Sequence, residues 1–312
     1  MFKTLLAASS PGGTHARLTV LIFHRVLAQP DGLFPDEMHA RQFNLICGWL
    51  ASWFRVFPLD QAIAQLRAGT LPARAACITF DDGYADNHDV ALPILKQHGL
   101  AATFFIATDF VDGGRMWNDT VIECIRWFGM PQLDLGRYGT FPVAALEDKR
   151  RAITEVIRQI KYLPPAERRE ATDLIVQSTG VRPSDDLMLT SAQAKAMRHA
   201  GMQIGAHTRS HPILARLDDG QARVEIKGSK DFLENLLAER VGLFAYPNGR
   251  QTEDYSDDTV NLVRELGFDS AVSTNWGAAR SATDLFQIPR FTPWDQSRIR
   301  FGARLLRNLW QS

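Results

Sequence analysis

The sequence predicts an α/β fold in which parallel strands are each followed by a helix, with one helical insertion. Short apolar runs alternate with amphipathic stretches along most of the chain, the pattern of repeated strand–helix units. Nearly every apolar run is followed at once by polar, potentially reactive residues. The stretch from about 112 to 189 drops the alternation and reads as helices alone.

The elements follow in order. Leu18–Phe23 (LTVLIF) has the continuous apolar character of a buried strand, as parallel sheets require. Residues 43–54 and Leu59–Arg67 carry helical spacing, 76–80 a strand, 87–97 a helix and 102–107 a strand. Gly99 stands where a helix C-cap belongs. The insertion opens on Gly113-Gly114, then shows helical patterns over 148–160 and 166–177 on either side of Pro164-Pro165. Beyond it, Ser191–His199 reads as a helix, 202–206 as a strand, Asp219–Leu237 as a long helix and 243–246 as a strand. A helix over 256–266 stops at Gly267, and strands follow over 268–273 and 285–288. Residues 299–310 close the chain as an amphipathic helix with Leu305, Leu306, Leu309 and Trp310 on its apolar side. The organisation expected is an N-terminal extension over 1–17, a main domain over 18–294 carrying the insertion at about 112–189, and the C-terminal helix over 295–312.

At 312 residues the chain can bury a sizeable core. Its 45% hydrophobic content and zero formal net charge give no bias toward nucleic acid or an acidic membrane surface, so a neutral polymer or small molecule is the easier partner. Three scattered cysteines, Cys47, Cys77 and Cys124, suggest neither a disulfide framework nor a zinc knuckle. They fit a reducing compartment. The start MFKTLLAASS mimics a secretory leader, but Pro11-Gly12-Gly13 breaks it early. No window is long enough to span a membrane, and a cytoplasmic location is expected.

The polar residues that follow the strands are the informative ones. His24 follows LTVLIF, Asp81-Asp82 follow ACITF, His207 follows MQIGA, Pro247-Asn248 follow LFAY and Arg290 follows FQIP. In a parallel barrel all these ends open onto one face, so residues far apart in sequence converge there. Asp81 and Asp82 are adjacent and point to opposite sides of an extended backbone; one can bind a metal while the other faces substrate. His207 and His211 lie within reach of one cation if their segment makes a turn. Two histidines and one aspartate make a set with open positions, suited to Zn²⁺ or another first-row metal. Taken singly, an Asp-Asp-Gly turn or a loop histidine pair is commonplace; their placement after buried strands gives them weight. His15, His39, His98 and His199 carry no partner signature, while Asp86 and His88 read as residues capping or facing the next helix.

TFDDG at 79–83, HTRSH at 207–211 and FAYPNG at 244–249 resemble the motifs of the polysaccharide deacetylase family (carbohydrate esterase family 4, the chitooligosaccharide deacetylase homology domain). The resemblance covers most of the chain from Leu18 to about Pro293. It implies a distorted parallel (β/α)7-type barrel and hydrolysis of an N-acetyl group from an amino sugar. It further implies Asp81 as general base, Asp82, His207 and His211 as ligands of a divalent metal, and Asn248 as the residue whose backbone amide meets the oxyanion. That chemistry is physically coherent, because amide hydrolysis needs water made more nucleophilic by a cation and a base, and a donor for the developing negative charge.

Two departures from the family pattern are plain. Ala245 stands where many members have an arginine that orients the base, and no histidine follows His211. Arg290, at the end of the last strand, could hold Asp81 by a bidentate pair. His24 could supply the acid that protonates the leaving amine, as in a subset resembling biofilm poly-N-acetylglucosamine deacetylases, where the acid precedes the Asp-Asp pair. Tyr246, Pro247 and Trp117 are candidate substrate contacts. Trp117 offers an aromatic face to a sugar or an anchor for the insertion, and Trp276 and Trp294 invite the same reading. Two other functions fit the motifs: hydrolysis of a non-sugar amide, and carbohydrate binding without catalysis. An intact base beside an intact ligand set argues against the last.

Overall fold

The structure is a computed structural model that describes residues 2–310; Met1 and the last two residues of the expected C-terminal segment, Gln311 and Ser312, lie outside it. Helix α1 (Phe2–Ser9) precedes β1 (Leu18–Phe23), α2 (Ala40–Trp53), β2 (Arg55–Val56), α3 (Leu59–Arg67) and β3 (Ala75–Phe80). A π-type turn over Asn87–Ala91 leads into α4 (Leu92–Gln97), then β4 (Thr103–Ile106). The insertion contains α5 (Trp117–Trp127), the short strands β5 (Gln132–Asp134) and β6 (Thr140–Pro142), α6 (Leu146–Ile160) and α7 (Pro165–Thr179). The remainder comprises α8 (Ser191–His199), β7 (Gln203–Ala206), α9 (Asp219–Leu237), β8 (Leu243–Ala245), α10 (Asp257–Glu265), β9 (Ser270–Val272) and α11 (Arg298–Trp310).

The main sheet is parallel throughout, in the order β1-β3-β4-β7-β8-β9. β2 pairs with the first two residues of β3, on the edge that β4 takes up further along. The curl is closed by the segment that follows β9. Ile288 exchanges backbone bonds with Ala271 and Ser273, and Phe291 with Val20 and Ile22, so this segment bridges the last strand to the first. The expected strand over 285–288 is thus a bridging segment with isolated pairings.

Period-two alternation assigns the faces. Ala76, Ile78 and Phe80 belong to the large core between sheet and helices, with Phe104, Ile106 and Phe244. Ala75 and Cys77 belong to a smaller core inside the curl, with Leu18, Val20, Phe105 and Val272. Thr79 and Asp81 continue that inner face toward the carboxyl-terminal mouth. The three cysteines are buried and free.

The N-terminal segment carries helix α1, which packs against α2 and α11. The Phe2 ring lies 5.2 Å from that of Trp53, and Gly302 on α11 comes so near Phe2 that a Cβ there would meet its ring at 2.6 Å. Trp310, expected on the apolar side of α11, is instead exposed, and its Nε1 donates to Ser9 Oγ at 2.9 Å. The insertion builds a core of its own around Val121, Ile125, Ile153, Val156, Ala171 and Ile175. No described helix is long and apolar enough to cross a membrane.

Candidate metal centre and catalytic pocket

The pocket begins where β3 ends. The Asp81 N–H donates to Phe23 O at 2.9 Å, extending the β1–β3 ladder by one residue. Asp82 then leaves the sheet with φ +76° and Gly83 with φ +87°, a left-handed turn that aspartate tolerates better than most residues. This turn separates the two carboxylates. Asp81 points inward, where Arg290 Nη1 and Nη2 donate to its two oxygens at 2.7 and 2.6 Å. Two further guanidinium donors are used: Nε reaches Ser273 O at 2.8 Å and Nη1 reaches Thr79 Oγ1 at 3.2 Å.

Asp82 faces the histidines. Its Oδ1 lies 3.4 Å from His207 Nε2 and 3.4 Å from His211 Nε2, and the three side chains form a possible metal-ligand group. His207 Nδ1 donates to Ala245 O at 2.7 Å, which fixes the tautomer and leaves the Nε2 lone pair free. The two separations from Asp82 to the imidazoles suit a shared cation by distance as well as type. Ligands at ~2.0–2.1 Å in a tetrahedron sit ~3.3–3.4 Å apart. Thr208 (φ +62°) and His211 (φ +54°) are also left-handed. Such a backbone needs outside support; Glu225 on α9 supplies it, accepting from Arg209 N, Ser210 N and Ser210 Oγ at 2.7–2.9 Å.

Burial opposes every charge here, and neighbours decide the outcome. Burial would raise the Asp81 pKa, but the Arg290 charge and the nearby histidines hold it below the usual carboxylate range. Burial would likewise raise Asp82, yet His207 and His211 hold it well below that range. Burial pushes His211 down to about 4 despite the Asp82 charge, so its imidazole is neutral and able to coordinate near pH 7. His207 is also pushed down by burial, but Asp82 and Asp81 outweigh this and raise it.

A pocket of ≈ 260 Å³ brings Asp81, Asp82, His207 and His211 together with His24, Asn248 and Trp117. His24 is exposed at its rim. Its loop is tied down from the β3 side: Asn87 Nδ2 donates to His24 O at 2.8 Å, and Asp86 accepts from Arg25 Nε and Val26 N at 2.8 and 3.0 Å. Asp86 therefore holds the His24 loop rather than capping the next helix. Asn248 (φ +59°) sits in a turn fastened by Thr274, whose Oγ1 donates to Asn248 O at 2.7 Å and whose N–H donates to Gly249 O at 2.8 Å. The Asn248 N–H has no protein acceptor among the described residues. Wider clefts flank the pocket. One of ≈ 1080 Å³ shares His24 and Asp82 with it, and one of ≈ 670 Å³ shares Asn248 and Thr274. Trp294 lines both clefts and Trp276 the second.

Two expected substrate contacts lie elsewhere. Tyr246 is fully buried, its ring stacked 3.9 Å from that of Tyr255 in the helix-facing core. It shares the face of Phe244, two residues earlier, and so points away from the mouth. Pro247 is buried and forms no part of the pocket wall. Conversely, Lys161, Arg168 and Ile157 of the insertion line the pocket and carry no motif that would single them out. Glu225 and Asp86 support site loops from other elements, which spacing alone does not reveal.

The family model for polysaccharide deacetylase matches residues 68–271. YxkH of Bacillus subtilis (strain 168), whose name places it among polysaccharide deacetylases, is 22% identical over 277 residues, covering 88% of this chain and 71% of its own. Among solved structures, the Streptococcus pyogenes deacetylase PplD in complex with acetate superposes with a TM-score of 0.63 at 20% identity, covering 95% of this chain and 99% of that one. IcaB from Ammonifex degensii gives 0.58 at 19% identity, covering 96% and 99%.

Proposed function

The chain belongs to the polysaccharide deacetylase family and is a hydrolase of carbon–nitrogen bonds, and from that premise we propose that it removes N-acetyl groups from an amino-sugar polymer or oligosaccharide with a divalent cation held by Asp82, His207 and His211. The observation that carries this reading is the separation of the two carboxylates. Asp82 is 3.4 Å from both imidazoles, while Asp81, turned away from them, is held ionised against Arg290 at the same pocket.

A divalent cation, Zn²⁺ fitting the donors best, supplies Lewis acidity and lowers the pKa of water. The rest falls to the chain's own groups. Asp81 takes a proton from the attacking water. Its two bonds to Arg290 fix its orientation and keep it ionised. The Asn248 N–H, which has no protein acceptor among the described residues, donates to the oxyanion as the acetyl carbon becomes tetrahedral. His24, on the rim, returns a proton to the departing amine. Trp117 forms part of the wall against which a sugar ring can lie. The flanking clefts give an extended substrate room on both sides, which favours a polymer or oligosaccharide over a small amide.

The test is acetate release from N-acetylated chitooligosaccharides and poly-N-acetylglucosamine, with the protein loaded with Zn²⁺ and again after chelation. Release that depends on the metal supports the reading. If neither sugar yields acetate while simple N-acetylated amines do, the substrate is not an amino sugar.

A further inference from the structure

The insertion brings into the pocket two cations that the reaction above does not use. Arg168, on α7, is 8% exposed and lines the pocket. Among the described residues it has no carboxylate partner; its Nη1 donates to Lys161 O at 3.2 Å, and its Cζ lies 5.1 Å from the centre of the Trp117 ring. A guanidinium offers five donors, and most of these are left for something else. Lys161, at the end of α6, lines the same pocket and likewise forms no ion pair among the described residues. Asp254 feels its charge, but the two form no ion pair.

The rest of the insertion makes this unusual. Arg115, Arg126, Arg137, Arg150, Arg151 and Arg158 each hold a carboxylate. The two others, Arg169 and Arg182, are exposed to water. Arg168 alone among them is buried without a counter-charge, an arrangement that costs free energy unless something compensates it. The pocket's own acids are not free to do so: Arg290 neutralises Asp81, and Asp82 faces two histidines.

We infer that the substrate carries an anionic substituent, a carboxylate or a phosphate, near its acetamido group, and that Arg168 and Lys161 bind it. This rests on the deacetylase reading for the identity of the sugar and deepens it to an anionic amino sugar. The planar fork of Arg168 suits two oxygens of one anion, and Lys161 adds a mobile point charge.

Three size-matched disaccharides test it: N,N′-diacetylchitobiose, its 1-phosphate, and N-acetylglucosamine linked to N-acetylmuramic acid. Each is titrated calorimetrically into the protein and assayed for acetate release, with wild type, Lys161→Gln and Arg168→Gln. The expected result is that one charged sugar binds at least about tenfold more tightly than the neutral one, and that each substitution lowers this preference by about tenfold, the loss of one charge-assisted contact. The phosphate and carboxylate arms identify which anion is meant. Equal binding of all three sugars, or a preference that survives both substitutions, overturns the inference, and leaves Arg168 a staple between α7 and Trp117. Should Arg168→Gln fail to fold, the half-buried Lys161 position decides alone. Acetate release without charge preference sinks only this inference. Charge preference without acetate release from any sugar sinks only the deacetylase reading.

Discussion

Arg290 and Asp81, 209 positions apart in the chain, form a fork-to-fork ion pair in which both side chains are nearly sealed from water, at 0% and 3% exposure. The segment that bridges β9 to β1 carries the arginine to the inner end of β3. With Ser273 O and Thr79 Oγ1 taking two further donors, the guanidinium has little freedom. The carboxylate it holds has one orientation and rests ionised.

Asp81→Asn is expected to lower turnover by at least about 10²-fold, the usual contribution of a positioned base, while zinc content measured by mass spectrometry stays at the wild-type level. Arg290→Met leaves a buried carboxylate alone and should cost about 3–5 kcal/mol in urea unfolding. The double variant should regain part of that loss. Simple additivity of the two single losses would mean the pair is not coupled.

His207→Ala is expected to abolish stoichiometric zinc binding along with activity. In the proposed ligand set the imidazole supplies one of three donors, and its orientation is fixed by Ala245 O. A variant that still binds one zinc per chain with wild-type affinity would remove His207 from the ligand set.

The metal-free protein should lose stability between pH 6.5 and about 4 through His211. Its folded pKa is about 4, against an unfolded value of ~6.5. Within that window the unfolded chain binds a proton that the folded chain does not, so stability falls as pH falls. The stability advantage of wild type over His211→Gln, read from thermal melts, should shrink across this window. A constant difference would contradict the depressed pKa.

His24→Ala should slow amide cleavage far more than cleavage of an activated acetyl ester, whose leaving group needs no proton. The comparison is of kcat on both substrates. An equal loss on the two would assign His24 to binding or loop structure.

Gly249→Ala is expected to cost about 1–3 kcal/mol and to depress kcat. Its φ of +75° is left-handed, and a Cβ would lie 2.9 Å from Thr274 N, so either the turn or the backbone beside it must move. That turn carries the Asn248 N–H. Wild-type stability and kcat in this variant would show that the turn tolerates displacement.

Strong local patterns made the scaffold readable. The spans read for β1, α3, α8 and α9 agree with the elements observed, since continuous apolar runs and sustained helical spacing have few competing solutions. The two- and three-residue strands β2, β5 and β6 are too short to show a period. Helix α1 was masked by its likeness to a leader, and α5 lay in a stretch with no cap to announce it. Tyr246 looks like a substrate contact when FAYPNG is taken as a unit, whereas alternation from Phe244 assigns it to the helix-facing core.

The sequence by itself determined the donor types and their order: two adjacent aspartates after one strand, two histidines after another, and an arginine after the last. These depend only on side-chain chemistry and on strand ends sharing a mouth. The tertiary structure decided which carboxylate meets Arg290 and which meets the histidines, because that division is made by a left-handed turn at Asp82 held in place from outside it. It also decided that Arg168 and Lys161 reach the pocket, since charge is written in the sequence whereas burial and the lack of a counter-ion arise only when distant helices pack together.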